Sequence, residues 1–150
     1  RRDPERASEL YDRAHALNPN SARTLCNLGV LNLIKFQQSK DRSLLPQALT
    51  WFNQSIDKNP YYAPAVNGRA SVKMFLNRIP EAIEDWKKTI EIQPDFTDAY
   101  FNLGIIHLRL KRPAEALTYL SVLKERYQNR LPHARQNQLQ RLIREAESNR

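Results

Sequence analysis

Ala48, Ala82 and Ala116 stand 34 residues apart, and the residues around each repeat one short pattern. A proline precedes each alanine by two or three positions (Pro46, Pro80, Pro113), and a bulky side chain follows four positions later (Phe52, Trp86, Leu120). The same interval separates Pro60 from Pro94, Val66 from Tyr100, Asn59 from Gln93 and Ala70 from Gly104. A fixed period between about 20 and 50 residues marks stacked supersecondary units rather than one globular core. Pro19 to Pro60, Ala7 to Ala48 and Leu25 to Val66 are each 41 residues apart, the period plus seven. One unit therefore holds a seven-residue insertion between Leu33 and Pro46, and the frame continues unbroken on both sides.

Each unit reads as a pair of helices. Leu25, Leu28 and Leu31, with Val30 and Leu33 on an adjoining stripe, have helical spacing over residues 22–34. A second helix follows from about Pro46 to Lys58. Pro46, Pro80 and Pro113 suit the first turn of each second helix, where a missing N–H costs little. Pro60 and Pro94 stop those helices. The three glycines, Gly29, Gly68 and Gly104, all fall inside first helices, where glycine costs about 1 kcal/mol against alanine. At Gly29 and Gly104 close helix approach offers a compensation, since the equivalent place in the middle unit is the small Ala70. Gly68 stands two positions earlier in its unit, and the pattern supplies no packing reason for it.

These residues carry a family resemblance. Residues 97–128, with Tyr100, Leu103, Gly104, Ala116 and Leu120, resemble the tetratricopeptide repeat, as do residues 63–94 through Val66, Ala70, Ala82, Trp86 and Pro94. Residues 22–60 are similar to a third copy through Leu25, Leu28, Gly29, Ala48, Phe52 and Pro60, and within a partial repeat over 1–19, residues 7–19 are similar to the second half of a fourth. The resemblance implies an all-α fold, a right-handed α-solenoid of antiparallel helix pairs, as one domain over 1–150 closed by a capping helix at 131–148. It also implies that first helices line a concave groove through places 2, 5, 6, 9, 12 and 13 of each repeat.

Carried onto this sequence, those places are Arg23, Cys26, Asn27, Val30, Leu33 and Ile34, then Pro64, Asn67, Gly68, Ser71, Met74 and Phe75, then Asp98, Phe101, Asn102, Ile105, Leu108 and Arg109. Members that hold a C-terminal carboxylate use lysine, asparagine and arginine at places 2, 5, 6 and 9. Here those places carry no lysine and one arginine, Arg23, so the likeness to that subclass fails. Asn27 and Asn102 instead resemble the asparagine ladder of members that bind extended peptides, an amide offering both donor and acceptor to a peptide unit. The ladder is interrupted at Gly68, with Asn67 adjacent. The expected function is a non-catalytic scaffold gripping an extended or helical protein segment. Asn27, Asn67 and Asn102 would fix its backbone, Val30, Met74, Phe75, Phe101 and Ile105 would supply apolar contact, and Arg23, Ser71 and Arg109 complete the expected groove.

The net charge of +8 raises a second reading. Residues 61–94 and 95–128 each hold five positive and four negative charges, whereas 21–60 and 129–150 each hold five against two. The excess gathers at Lys35, Lys40 and Arg42 and on a terminal helix through Arg130, Arg135, Arg141 and Arg144. Basic charge without interleaved aromatic platforms is weak evidence for nucleic acid, so binding of nucleic acid or an anionic membrane stays the alternative to a protein partner. A further alternative is a substrate-targeting part of a larger enzyme, such as a glycosyltransferase or peptidase. The chain opens RRDPERA midway through a repeat and reads as a fragment, which leaves the compartment open.

No catalytic constellation is legible. His15, His107 and His133 lie far apart without a second ligand at helical spacing, so neither a metal nor a cofactor is expected. Cys26 has no activating neighbour. Glu81, Glu84 and Asp85 open a helix, where negative charge complements the macrodipole. A monomer is expected, with self-association possible at the exposed first half-repeat.

Overall fold

The computed structural model describes residues 21–149, which form seven α-helices with no strand among the described residues. These are α1 (Ala22–Ser39), α2 (Leu44–Lys58), α3 (Ala63–Phe75), α4 (Ile79–Ile92), α5 (Thr97–Arg109), α6 (Pro113–Val122) and α7 (His133–Ser148). A π-helical turn (Leu123–Tyr127) and a 3-10 turn (Gln128–Arg130) join α6 to α7. The half-repeat expected at 1–19 lies outside the described residues. By its contacts the chain divides into two compact units, residues 1–88 and 89–150, with the division inside α4. In a helical array each element touches only its neighbours, so contacts are local by construction.

In the first unit, Ser21 caps α1 by accepting a hydrogen bond from the Thr24 N–H at 3.0 Å. The buried Ser55 hydroxyl, near the end of α2, donates to the Ala22 carbonyl at 2.6 Å and so fixes α1 and α2 as an antiparallel pair. The core joins Cys26, Phe36, Leu45, Ala48, Phe52, Ala65 and Val72. Phe52 is fully buried, and its ring explains two glycines. A Cβ on Gly29 would meet it at 2.8 Å, and one on Gly68 at 2.3 Å. Gly68 thus has a packing reason that the period alone does not reveal: the ring enters between α1 and α3 and needs both glycines.

The insertion is partly helix and partly turn. α1 has 18 residues against 13 in α3 and 13 in α5, and the five extra residues lengthen it by about 7.5 Å. Phe36 in this extension is buried and meets Phe75 edge to face, with centroids 5.0 Å apart. Lys40 then turns left-handed (φ 61°), and its ammonium caps its own helix by donating to the Gln37 carbonyl at 2.7 Å. Arg42 donates to the Phe75 carbonyl at the end of α3 at 3.0 Å. Two of the three insertion cations are therefore engaged with helix C-termini, where positive charge complements the macrodipole.

Left-handed residues also end α3 and α5, at Asn77 (φ 61°) and Lys111 (φ 56°). In both, the next N–H reaches five residues back, Arg78 to the Lys73 carbonyl and Arg112 to that of His107. The turn residues themselves donate to the Met74 and Leu108 carbonyls, which completes a Schellman motif at each place. In α4, Asp85 accepts both arms of Arg69 at 2.8 Å and the Lys73 ammonium at 2.7 Å, so this carboxylate ties α4 to α3.

The second unit has its own core of Tyr100, Phe101, Ala116, Leu120, Leu123, Leu131, Leu139, Ile143 and Ala146. A Cβ on Gly104 would meet Leu120 at 2.5 Å, the same close approach with a smaller wedge. His107 is buried and stacks on Tyr119, centroids 5.6 Å apart. The π-helical turn swings Tyr127 so that it and Tyr100 both donate to the Pro94 carbonyl, at 2.9 and 3.0 Å. α7 buries Leu139, Ile143 and Ala146 and exposes His133, Arg141 and Arg144.

Gly68→Ala should destabilise the fold by about 2 kcal/mol through overpacking against Phe52, despite a helix-propensity gain of about 1 kcal/mol. Combining it with Phe52→Leu should recover part of the loss; urea denaturation of both variants beside the unmodified chain provides the check. Lys111→Gly should stabilise by about 1 kcal/mol, because a left-handed non-glycine residue carries a penalty of that order, and the same assay reads it.

Candidate peptide-binding surface

The expected groove residues fall on helix stripes within each unit. On α1, Arg23, Asn27 and Val30 follow at intervals of four and three, and on α3 Asn67, Ser71 and Met74 do the same, with Phe75 four residues after Ser71. Arg23 is exposed and the others are partly buried. α1 and α3 are in direct contact, so both stripes belong to one unit. On α5, Asn102 and Ile105 are partly buried and Arg109 is exposed. Ser71 donates back to the Asn67 carbonyl at 3.2 Å, an ordinary helical bond of serine to its own helix.

The three asparagines share one property. Their side-chain amides form no hydrogen bond among the described residues, and the Asn67 Oδ1 atom is buried without a partner. Asparagine is a poor residue for a helix interior, and a buried polar atom left unpaired costs about 1–3 kcal/mol. No internal bond holds the Asn67 amide in one orientation, so a half-turn about its last torsion can present either oxygen or nitrogen outward. The gap in the ladder at Gly68 also has a cause: the Phe52 ring occupies the space that an asparagine side chain would need.

One expected apolar contact requires correction. Phe101 is 1% exposed and belongs to the core of the second unit. The Arg135 guanidinium of α7 lies 4.7 Å from its ring centroid, and Arg135 also binds Asp98 at 2.5 Å. A ligand could reach Phe101 only by displacing α7. Phe75 is partly covered by Phe36 from the lengthened α1. Conversely, sequence reasoning missed Leu142 and Glu145. With Ile105, Leu108 and Arg109 they line a cleft of about 240 Å³. Leu142 could be read as part of the apolar face of a cap, but nothing in the repeat pattern says that a cap residue reaches α5.

Among the described residues, no group of three or more His, Cys, Asp or Glu side chains is placed to hold a metal ion. No described helix is long and apolar enough to cross a membrane.

Repeated antiparallel helix pairs, glycine-mediated close approach and helix stripes of amides and apolar residues define an all-α helical-repeat protein. A family model described as TPR repeat matches residues 72–111. Hsp70-Hsp90 organizing protein 3 of Arabidopsis thaliana is 32% identical over 93 residues, 62% of this chain and 15% of the relative. Protein O-mannosyl-transferase TMTC3 of Homo sapiens is 31% identical over 104 residues, 69% of this chain and 11% of the relative. The chain thus spans only a small part of these relatives' length. Among solved structures, the TPR2B-domain:pHsp70-complex of yeast Sti1 aligns with a TM-score of 0.66 at 25% identity, covering 84% of this chain and 98% of that one. A thermophilic TPR protein from Thermus thermophilus aligns with a TM-score of 0.74 at 20% identity over 92% of this chain and 70% of that one, a likeness of fold. Residues 72–111 thus match a tetratricopeptide repeat, and the chain has the helical-repeat fold of tetratricopeptide-repeat proteins.

Cys26, at a groove place in the family frame, is 2% exposed and faces the core. Burial pushes its thiol up from an ordinary value of 9.0 to about 12. Thiolate, the reactive form, is thereby suppressed. Modification by a disulfide reagent at pH 8 should be slow in the folded protein and fast in urea. Above about pH 9 the unfolded chain loses a thiol proton that the folded chain keeps, so stability should fall with rising pH there. Cys26→Ala should remove this thiol's share of the alkaline slope in denaturation midpoints.

Proposed function

We propose that this repeat scaffold binds an internal segment of a partner protein along its first-helix stripes, with Asn27, Asn67 and Asn102 as backbone contacts. The observation that carries the reading is that all three amides are without hydrogen-bond partners among the described residues while standing at matched helix positions or beside them. Such an amide can pair with a peptide unit irrespective of the ligand's side chains. Arg23, Val30, Ser71, Met74, Ile105 and Arg109 flank them, and Met74 supplies an adaptable apolar contact. Relatives named Hsp70-Hsp90 organizing proteins, and a neighbouring structure described as a pHsp70 complex, support a peptide as the ligand class.

The absence of lysine at the clamp places argues for an internal segment over a free C-terminus. A second reading has one observation in its favour. The likeness to an O-mannosyl-transferase over 69% of this chain fits a role in presenting substrates to a catalytic domain elsewhere in a longer protein. The engaged Lys40 and Arg42 weigh against the insertion as a site for nucleic acid.

Peptides selected by the whole chain from a random phage-displayed library provide the test. Asn27→Ala and Asn67→Ala should each weaken a selected peptide about tenfold, which corresponds to about 1.4 kcal/mol, with circular dichroism unchanged. Amidating the peptide's C-terminus should leave affinity within about twofold, since no clamp grips that carboxylate. Undiminished binding by the folded double variant would overturn the asparagine reading, and strong dependence on the free carboxylate would restore the clamp.

A further inference from the structure

The cleft between α5 and α7 in the second unit has the chemistry of an anchor site. Ile105, Leu108 and Leu142 give it a partly buried apolar wall, and the exposed Arg109 and Glu145 stand at its border. Neither charged side chain forms an ion pair or a side-chain hydrogen bond among the described residues. Every other arrangement of α7 around it is closed: Arg135 is held by Asp98 and lies over Phe101, while Leu139, Ile143 and Ala146 are buried. The opening therefore sits between fixed walls, beyond Asn102 on the same stripe of α5.

Its size limits what it can take. An apolar cavity of about 150 Å³ accepts a benzene ring, so a cleft of about 240 Å³ has room for one aromatic ring. Phenylalanine adds seven carbons beyond its backbone, so one aromatic side chain fits, whereas a second helix does not. Apolar walls favour such a side chain because its burial removes hydrocarbon from water. The two border charges favour residues of opposite sign next to it, acidic toward Arg109 and basic toward Glu145.

Resting on the groove reading above, we infer that this cleft is a specificity pocket for one large aromatic side chain of the bound segment, flanked in that segment by an acidic and a basic residue. α7 is then more than a cover for the last repeat. It supplies Leu142 and Glu145 to ligand selection, and no first-helix position can do this alone.

The library selection described above can be read for this second property. Peptides taken by the unmodified chain should share an aromatic residue, and its replacement by alanine should cost about thirtyfold in Kd measured by fluorescence anisotropy. Leu142→Trp fills the cleft, so against this variant the same alanine replacement should cost less than about threefold. Glu145→Lys, an exposed change that leaves the packing untouched, should reselect peptides with an acidic residue in place of the basic one. Selected peptides that depend on Asn102 yet share no aromatic residue would overturn the pocket and leave the groove standing. An alanine penalty equal in the unmodified chain and Leu142→Trp, or an unchanged motif from Glu145→Lys, would also overturn it. Peptides insensitive to all three asparagines would remove the groove itself.

Discussion

The buried Phe52 ring and the two glycines beside it set the geometry of the first unit. At the distances found, no side chain larger than hydrogen can stand at position 29 or 68 unless the ring moves. The ring comes from α2 and the glycines from α1 and α3, so one contact fixes three helices at once. Each glycine carries a helix-propensity cost of about 1 kcal/mol, offset by the close packing it permits. The second unit repeats the device more simply, with Leu120 against Gly104. That arrangement also dictates where amides can stand, since a ring filling the place beside Gly68 leaves Asn67 as the nearest available position on α3.

Much of this was legible because a repeat turns spacing into position. Ala48, Ala82 and Ala116 define the second helices, and the 41-residue intervals bracket the insertion correctly between Leu33 and Pro46. Three things were not legible, each for a physical reason. Period matching compares equivalent places, whereas Phe52 reaches a non-equivalent one, so Gly68 looked unaccounted for. Phe101 occupies a groove place by register, but its exposure depends on how α7 packs, and Arg135 closes over it. The left-handed turns were hidden because Lys40 and Lys111 stand where glycine would have announced them.

Charge is a further case in which sequence counts mislead. The insertion carries Lys35, Lys40 and Arg42, which read as a basic cluster, yet Lys40 and Arg42 are directed onto the carbonyl ends of α1 and α3. Similarly, Arg135 of the basic terminal helix is bound to Asp98 and an aromatic face. Glu81, Glu84 and Asp85 look like a carboxylate cluster, but each has a cationic partner in Arg78, Lys87, and Arg69 with Lys73. Hydrogen-bonding to Arg78 accordingly holds the Glu81 carboxyl below its usual range. The charges remaining on α7 include Arg141 and Arg144, both exposed.

The lengthened α1 shows how a periodic fold absorbs an irregular stretch. The added residues enter at the turn joining two helices of a pair, and their two anchors, the Phe36 ring and the Arg42 guanidinium, both land on Phe75 of the following helix. The pairing of α1 with α2 resumes at Leu45 and Ala48, both buried in the core of this unit. A chain built this way can change the length of a single turn and keep the phase of all later ones. Local novelty and global order are then inherited separately, and the insertion becomes a place where two otherwise similar scaffolds can differ without refolding.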